Sequence, residues 1–323
     1  MYLTFYGLQE KPFNSTPDPR FLFMTAGHRE GLAQLVYGVQ EQKGFIVLTG
    51  EVGTGKTTLL HALLKRLEAD TAVSFIFNSA LSFDEILQYM LKDFGIPELG
   101  DSRVERLIAL NNFLIERRRA GQNTVVIFDE AQNLEPPILE QIRLLSNFET
   151  PTEKLLQIVL VGQPELKTKL QISSLRQLRQ RIGLRCNIPA LSEEETRDYI
   201  RTRLRIAGAR DLRIFTDAAV RRIAQYAGGI PRMINILCDH CLITGYARQK
   251  RRIEKDIVEE AIHYLDEGER PSFSRRFRRL PRSLVGAVFA ATLVGAVAVA
   301  SMEGFLGSRL EHFARVAWGL IAP

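Results

Sequence analysis

Hydrophobic and polar positions along the first part of this 323-residue chain predict strands and helices in turn. Short, almost wholly apolar runs alternate with segments of helical periodicity. Such runs are typical of strands buried on both faces, and the alternation is typical of a parallel sheet. The runs are FIVLT at 45–49, VSFIF at 73–77, VVIF at 125–128 and QIVLV at 157–161. The pattern predicts an α/β domain at residues 1–188, in which helices flank a parallel sheet.

The next region, residues 189–267, lacks such runs and has helical periodicity throughout, so it predicts an all-α domain. Ser192 and Glu195 fit a capping box that opens its first helix. Thr216 fits the N-cap of the second helix, and Pro231 fits the first turn of the third.

The last part of the sequence predicts a membrane anchor. A polar, Arg-rich linker at residues 268–282 leads to residues 284–302, which contain no charged side chain. As a helix rising about 1.5 Å per residue, this run spans roughly 28 Å, close to the thickness of a hydrocarbon core. We expect a transmembrane helix at 283–302, with the basic side cytoplasmic and residues 303–323 outside. The alternative is a buried, Ala- and Gly-rich helix of a soluble domain.

Composition excludes several classes of protein. Charged residues make up 25% of the chain and hydrophobic residues 46%, which excludes a mostly disordered chain. The mean hydropathy of -0.05 excludes a polytopic membrane protein. The net charge of +6 favours anionic partners without choosing among nucleotide, nucleic acid and lipid. Three cysteines cannot form a disulfide framework, and Cys238 and Cys241 lack a second pair at zinc spacing, so we expect these two in the core.

A phosphate-binding loop follows the first apolar run. Residues 50–57, GEVGTGKT, place a glycine, four residues and Gly-Lys-Thr between a predicted strand and a predicted helix. Backbone amides and the helix N-terminus would hold the phosphates, Lys56 would reach the β- and γ-phosphates, and the Thr57 hydroxyl would bind Mg²⁺. A glycine-rich turn without a ligand is the alternative. The residues expected to bind nucleotide here are Gly50, Glu51, Val52, Gly53, Thr54, Gly55, Lys56, Thr57 and Thr58.

Two carboxylates follow the third apolar run. Asp129 fits a second ligand of Mg²⁺, and Glu130 is placed to polarise the attacking water, which predicts hydrolysis as well as binding. Gln163, which follows the fourth run, would orient the water against the γ-phosphate. Asn78, which follows the second run, would hold Glu130 away from the water until a partner binds. Each of these two amides can alternatively cap a loop.

Two arginine features complete the candidate site. Arg176, Arg179, Arg181 and Arg185 cluster before the helical domain. We expect Arg181, and next Arg179, to reach the γ-phosphate of a neighbouring subunit, because a fixed guanidinium charge stabilises the transition state. A solvated basic face is the alternative. Arg232 follows Gly-Gly-Ile-Pro at the start of a lid helix and is expected to contact the nucleotide.

These motifs, in this order, resemble those of AAA+ ATPases. Further segments resemble the ExeA-type general secretion pathway ATPases, a group that includes the secretion ATPases of exosortase and exopolysaccharide loci. The resemblance covers about residues 1–267. Its segments are FYGL at 5–8, KPF at 11–13, TPDPRF at 16–21, DEAQ at 129–132, LLSNF at 144–148, VGQPEL at 161–166, LRQRI at 178–182 and GIPR at 229–232.

The resemblance implies a P-loop AAA+ fold and a Mg²⁺-dependent ATPase in which Lys56, Thr57, Asp129, Glu130 and Arg232 serve as described. It also implies a cytoplasmic bacterial ATPase, which the transmembrane helix predicted from the sequence itself would anchor in the inner membrane through residues 284–302. The protein would form a homo-oligomeric ring and engage a membrane partner of a secretion or envelope-assembly complex. ATP, rather than GTP, is carried over from the family.

Three points stay open at this stage. Well-known family members have a long periplasmic portion with a peptidoglycan-binding module, whereas residues 303–323 are short, so cell-wall binding would require a partner. A DNA-associated ATPase of the transposition target-selection type shares the same core, but the predicted membrane segment disfavours it, and nucleic acid is not the expected partner. A nucleotide-gated scaffold with very slow hydrolysis is a third possibility.

Overall fold

A five-stranded parallel sheet forms the centre of the computed structural model, which describes residues 1–14, 18–67, 71–77, 81–97 and 102–269. The strands lie in the order β2-β3-β4-β1-β5, and all pairings are parallel. Their bounds are Phe45–Gly50 for β1, Ala72–Ile76 for β2, Thr124–Phe128 for β3, Gln157–Gly162 for β4 and Ile182–Ile188 for β5.

Helices precede and follow each strand. Among the helices of the described residues, eight lie before the end of the sheet: α1 Tyr2–Tyr6, α2 Ala26–Gln40, α3 Lys56–Leu64, α4 Phe83–Asp93, α5 Arg103–Arg119, α6 Pro136–Leu145, α7 Pro164–Lys169 and α8 Arg176–Arg181. Four come after it: α9 Glu193–Ile206, α10 Asp217–Ala227, α11 Pro231–Ala247 and α12 Lys255–Glu269. Short 3-10 helices span Pro19–Phe21, Ala131–Asn133 and Ser173–Leu175.

The sheet is covered on both faces, as strands buried throughout require. Successive side chains of a strand point to opposite faces. Phe45 and Val47 therefore pack in one layer with α4, α5 and α6, while Ile46 and Leu48 pack in the other with α2 and α3. The predicted α/β fold, with a parallel sheet between helices, is confirmed.

Four strands coincide, within a residue or two, with the predicted apolar runs, and β5 was not among them. This strand pairs along one edge with β1, and its burial alternates. Cys186 and Ile188 are buried, whereas Gly183, Arg185 and Asn187 are exposed. The polar, half-exposed residues of an edge strand interrupt the apolar run by which the central strands were recognised.

The helices after the sheet begin at the predicted residues. Ser192 and Glu195 form the capping box of α9, the Thr216 side chain accepts a hydrogen bond from a backbone N–H of α10, and Pro231 occupies the first residue of α11. Met1–Tyr264 pack into one compact unit. The boundary between a sheet domain and a lid domain at residue 188 stays a prediction.

The N-terminal segment packs against the helices that follow the sheet. The Tyr2 hydroxyl donates to Asp239 Oδ1 at 2.6 Å, and the Tyr6 hydroxyl donates to the Lys250 carbonyl at 3.0 Å. The ring of Phe13 lies edge-on to that of Phe215. Residues grouped with the sheet by sequence thus contribute to the packing of the helical part.

Several predicted features lie outside the described residues. These are most of the Arg-rich linker at 268–282, of which the structure describes only 268 and 269 at the end of α12, the transmembrane helix expected at 283–302 and the outer tail at 303–323. Within the described ranges, no helix combines the length and the apolar character needed to cross a bilayer.

Candidate nucleotide-binding and hydrolysis site

The phosphate-binding loop lies between the end of β1 at Gly50 and the start of α3 at Lys56. Gly53 and Gly55 have φ angles of 80° and 98°, a left-handed conformation that only glycine adopts without strain. The Thr54 hydroxyl donates to the carbonyl of residue 51 at 2.9 Å and closes the turn. The N-terminus of α3 points its partial positive charge at this loop, which suits a bound phosphate.

Lys56 is held inside the loop. It is 6% exposed, and its ammonium donates to the carbonyls of Gly50 and Glu51 at 2.9 and 3.0 Å. Burial lowers the pKa of Lys56, and this effect outweighs the opposing influence of the Glu130 and Asp129 carboxylates. A negatively charged phosphate would favour the charged form of this lysine.

His28, at the start of α2, connects that helix to the loop. It is buried, with Nε2 2.9 Å from the Thr54 carbonyl and Nδ1 2.8 Å from the Thr25 hydroxyl. The ring also lies 3.3 Å from where a β-carbon on Gly55 would stand. The sequence did not indicate this contact, because a Thr-x-x-His pattern is ordinary at a helix start.

Two side chains whose oxygens could bind a metal ion lie together at the predicted magnesium site. The Thr57 hydroxyl donates to Asp129 Oδ2 at 3.3 Å, and the other oxygen of Asp129 accepts from the Glu130 backbone N–H at 2.9 Å. Burial, reinforced by the neighbouring Glu130 charge, raises the pKa of Asp129. A bound cation would reverse that effect.

A hydroxyl and a carboxylate are hard donors of the kind Mg²⁺ prefers, and the ion usually keeps several water and phosphate ligands besides. No cluster of three or more His, Cys, Asp or Glu side chains that could hold a metal occurs in the described part of the chain. The Thr57 hydroxyl and the Asp129 carboxylate fit a magnesium ion whose other ligands would come from a nucleotide and water.

Glu130 is held by two amide side chains. Gln132 Nε2 and Gln163 Nε2 both donate to Glu130 Oε2, at 2.5 and 3.1 Å. Burial acts to raise the pKa of Glu130, but these two hydrogen bonds and the nearby Lys56 outweigh it and leave the pKa below its usual value. The carboxylate is thus kept ionised, as a group that accepts a proton or orients a water must be.

The sheet order brings these groups together. Strand β4 lies between β3 and β1, so Gln163, just after β4, falls between the Asp129–Glu130 pair and the phosphate loop. This is where the sequence predicts it. Gln132, in the 3-10 turn after Glu130, was not among the predicted site residues. Asn78 lies outside the described residues.

The helix that begins at Pro231 meets the phosphate loop. A β-carbon built on Gly53 would stand 2.7 Å from Cβ of Arg232, so the loop and the first turn of α11 are in close contact. Just before this helix, the Gly229 carbonyl accepts a hydrogen bond from the Leu191 N–H at 2.9 Å. Arg232 is exposed beside the loop, as a lid arginine would be.

The predicted trans-acting arginines point in different directions. Arg181 donates to the Ser146 hydroxyl and to Asn147 Oδ1 at 2.6 and 2.7 Å. Arg179 instead donates to the Gln171 carbonyl at 3.3 Å and, with Arg185, lines a cavity of about 510 Å³ beside β5. Their predicted action on a neighbouring subunit stays a prediction.

The remaining predicted residues have simpler settings. Glu51 is exposed and contributes its backbone carbonyl, Val52 is 48% exposed at the loop surface, and Thr58 lies in the first turn of α3. Cys238 and Cys241 are buried in α11, in agreement with their predicted place in the core.

The sheet order, the loop and the acidic pair together define a P-loop protein of the AAA+ class. In agreement, residues 39–170 match the family of AAA domains. Over 254 residues the chain is 44% identical to general secretion pathway protein A of Aeromonas hydrophila, which covers 78% of this chain and 46% of that protein. The chain is thus similar to the ExeA-type AAA+ ATPases, and the resemblance predicted from the sequence motifs is confirmed.

A second relative is more distant. An uncharacterized HTH-type transcriptional regulator of Methanocaldococcus jannaschii is 29% identical over 167 residues, which cover 50% of this chain and 40% of the relative. The chain therefore spans less than half the length of either of these curated relatives.

Solved structures show the same fold at low sequence identity. The ORC2 protein of Aeropyrum pernix has a TM-score of 0.59 at 18% identity, with 82% of this chain and 73% of that chain covered. Drosophila ORC bound to DNA has a TM-score of 0.59 at 17% identity, with 84% and 67% covered. Cdc6p of Pyrobaculum aerophilum has a TM-score of 0.56 at 17% identity, with 77% and 71% covered. At this identity the likeness concerns the fold alone.

Proposed function

We propose that this protein hydrolyses ATP to ADP and phosphate in a Mg²⁺-dependent reaction and uses that cycle to drive or assemble a bacterial envelope secretion system. One observation carries the hydrolytic part. The Glu130 carboxylate is ionised, held by two amides and placed beside a phosphate loop with its lysine and an Asp129–Thr57 pair. The 44% identity to general secretion pathway protein A supports the secretion role.

Binding would depend on the loop and the lid. Loop amides and the N-terminus of α3 would hold the phosphates, Lys56 would exchange a loop carbonyl for a phosphate oxygen, and Arg232 would contact the nucleotide from the lid side. Thr57 and Asp129 would hold Mg²⁺, which neutralises charge on the phosphate oxygens when bound. We propose ATP as the nucleotide because it is the substrate of the family.

Hydrolysis would depend on Glu130 and Gln163. Glu130 would polarise the attacking water and accept its proton, and the Gln163 amide would orient that water against the γ-phosphate. In a homo-oligomeric ring, Arg181 or Arg179 of one subunit would supply positive charge to the nucleotide of its neighbour.

The proposed place of action is the bacterial inner membrane. Residues 284–302 would cross the bilayer once, with the ATPase domain cytoplasmic and residues 303–323 periplasmic. A membrane protein of the secretion or envelope-assembly complex would be the partner.

The hydrolytic proposal is tested by phosphate release from the full chain with ATP and Mg²⁺. Glu130→Gln should lower turnover about 100-fold or more, because it removes the group that activates water. The affinity of Glu130→Gln for nucleotide should equal that of the unchanged chain. Glu135→Gln is a matched control, since Glu135 is exposed nearby and its side chain caps no helix. Equal turnover in Glu130→Gln and the unchanged chain would contradict the proposal.

The membrane proposal is tested by alkaline extraction of membranes from cells that express the full chain or a version stopped at Arg282. The full chain should stay in the membrane fraction and the shortened chain should not. If both are extracted, residues 284–302 do not anchor the protein, and the DNA-associated alternative is then favoured.

A further inference from the structure

Gln132 links two elements of the site through opposite ends of one amide. Its Nε2 donates to Glu130 Oε2 at 2.5 Å, and its Oε1 accepts from the Gln163 backbone N–H at 3.1 Å. The side chain therefore spans from the turn after β3 to the residue that follows β4. It fixes the separation between the two groups proposed to act on the attacking water.

The position of Gln132 is itself constrained. Its backbone carbonyl accepts from Lys169 Nζ at 2.5 Å. A β-carbon on Gly162 would stand 2.7 Å from Gln132 Oε1, so the glycine at the end of β4 leaves the space this amide occupies. Pre-organisation of this kind holds a functional group in place before the substrate arrives.

The two amide donors also distinguish the oxygens of Glu130. Both bind Oε2, whereas Oε1 accepts no hydrogen bond from the described part of the chain. The ionised carboxylate thus has one oxygen occupied by the protein and one available to a water. Glu130 itself has a left-handed φ of 52°, at the turn between β3 and the 3-10 helix.

We propose that Gln132 is a positioning residue, which aims Glu130 at the attacking water by fixing Oε2 and leaving Oε1 for that water. This role rests on the proposed hydrolysis. Gln132 would act through Glu130, with which it shares a hydrogen bond, so its loss should slow the chemical step without weakening nucleotide binding.

The test compares full-length Gln132→Met with Gln225→Met. Methionine has the length of glutamine but does not donate these hydrogen bonds, and Gln225 is exposed on α10. Single-turnover hydrolysis should slow about 10- to 100-fold in Gln132→Met, while the Kd for ADP stays within about twofold and the thermal midpoint matches that of Gln225→Met. In a Glu130→Gln background, Gln132→Met should slow the reaction no further.

Three results would overturn the inference. The first is an unchanged single-turnover rate in Gln132→Met. The second is a faster rate, because Gln132 would then restrain the reaction. The third is a loss of rate together with losses of ADP affinity and thermal midpoint, because the role of Gln132 would then be structural. The proposed function fails separately: if Glu130→Gln hydrolyses ATP at the full rate, hydrolysis does not use Glu130. If Glu130→Gln is slow and Gln132→Met is not, only the role of Gln132 is wrong.

Discussion

Two polar networks in this molecule differ in how many of their hydrogen-bonding groups are paired within the protein. At the nucleotide site, the Glu130 carboxylate, the Asp129–Thr57 pair and Lys56 keep bonding capacity for a ligand. Between the N-terminal segment and α9, the buried side chain of Arg203 is hydrogen-bonded to other groups of the protein. The first network has the free bonding capacity that the proposed binding and hydrolysis require, whereas the second contributes to stability.

The Arg203 guanidinium makes hydrogen bonds and a cation–π contact. It donates to the Pro12 carbonyl at 2.5 Å and to the Tyr199 hydroxyl at 2.8 Å, and it stacks over Phe21 with 4.6 Å to the ring centroid. The Tyr199 hydroxyl donates onward to Asn235 at 2.9 Å. The network thus fastens the N-terminal segment to α9 and α11.

The largest effect should come from Lys56→Met. Loss of the ammonium should weaken binding of ATP and Mg²⁺ at least about 100-fold, roughly 3 kcal/mol, because a charge-assisted contact to phosphate disappears. The free energy of unfolding of the nucleotide-free chain should not fall, because burial of this ammonium outweighs its attraction to the neighbouring carboxylates, as its lowered pKa indicates. Calorimetric titration and urea unfolding measure the two quantities. A large loss of stability would show that Lys56 belongs to a satisfied network like that of Arg203.

The opposite pattern is expected for Arg203→Met. The free energy of unfolding should fall by about 2 kcal/mol, because the Pro12 carbonyl and the Tyr199 hydroxyl lose a charged donor and Phe21 loses its cation. Nucleotide affinity should change little. Arg201→Met, on the exposed face of the same helix, is the matched control. Equal urea midpoints for the two variants would contradict the assignment.

Gly53→Ala tests the contact between the phosphate loop and the first turn of α11. Alanine at a φ of 80° is strained, and its β-carbon would also collide with Cβ of Arg232. Gly95→Ala carries the same kind of backbone strain, at a φ of 71°, with nothing within 4 Å of the new carbon. Gly53→Ala should therefore lower the free energy of unfolding by about 1 kcal/mol more than Gly95→Ala, and should also weaken nucleotide binding. Equal losses of unfolding free energy in the two variants would mean that the first turn of α11 moves aside without cost.

The last expected effect concerns the sheet that carries the site, and it is absent at neutral pH. Burial, with a smaller contribution from Glu30, raises the pKa of Cys186 from 9.0 to about 11. Because the folded state keeps this proton longer than the unfolded state, its contribution to stability is complete below pH 9.0 and is lost as the pH rises towards 11. Urea unfolding over this range should show a shallower decline for Cys186→Ala. Identical slopes would contradict the shift.

The predictable part of the site is the part that follows buried strands. Gly50, Asp129 and Gln163 each come just after an apolar run, and parallel strands bring their carboxyl ends to one edge of the sheet. The sequence therefore predicts the loop, the acidic pair and the polar residue between them. Local patterns also predict the caps of α9 and α10, since a capping box depends on residues three positions apart.

The contacts that the sequence did not indicate depend on tertiary packing. Gln132 reaches Gln163 only because a 3-10 turn and the end of β4 meet, and His28 reaches the loop only because α2 packs beside α3. Arg203 and Pro12 are 191 positions apart, a separation at which no spacing rule applies. β5 was missed because Arg185 and Asn187 interrupt its apolar pattern.

The most direct test of the difference between the two networks is a paired measurement of single-turnover ATP hydrolysis and urea unfolding on Glu130→Gln and Arg203→Met. Glu130→Gln should hydrolyse ATP about 100-fold more slowly at an unchanged urea midpoint, and Arg203→Met should unfold at lower urea while its folded fraction hydrolyses at the normal rate. Loss of both properties in both variants, or an unchanged rate in Glu130→Gln, would contradict the account.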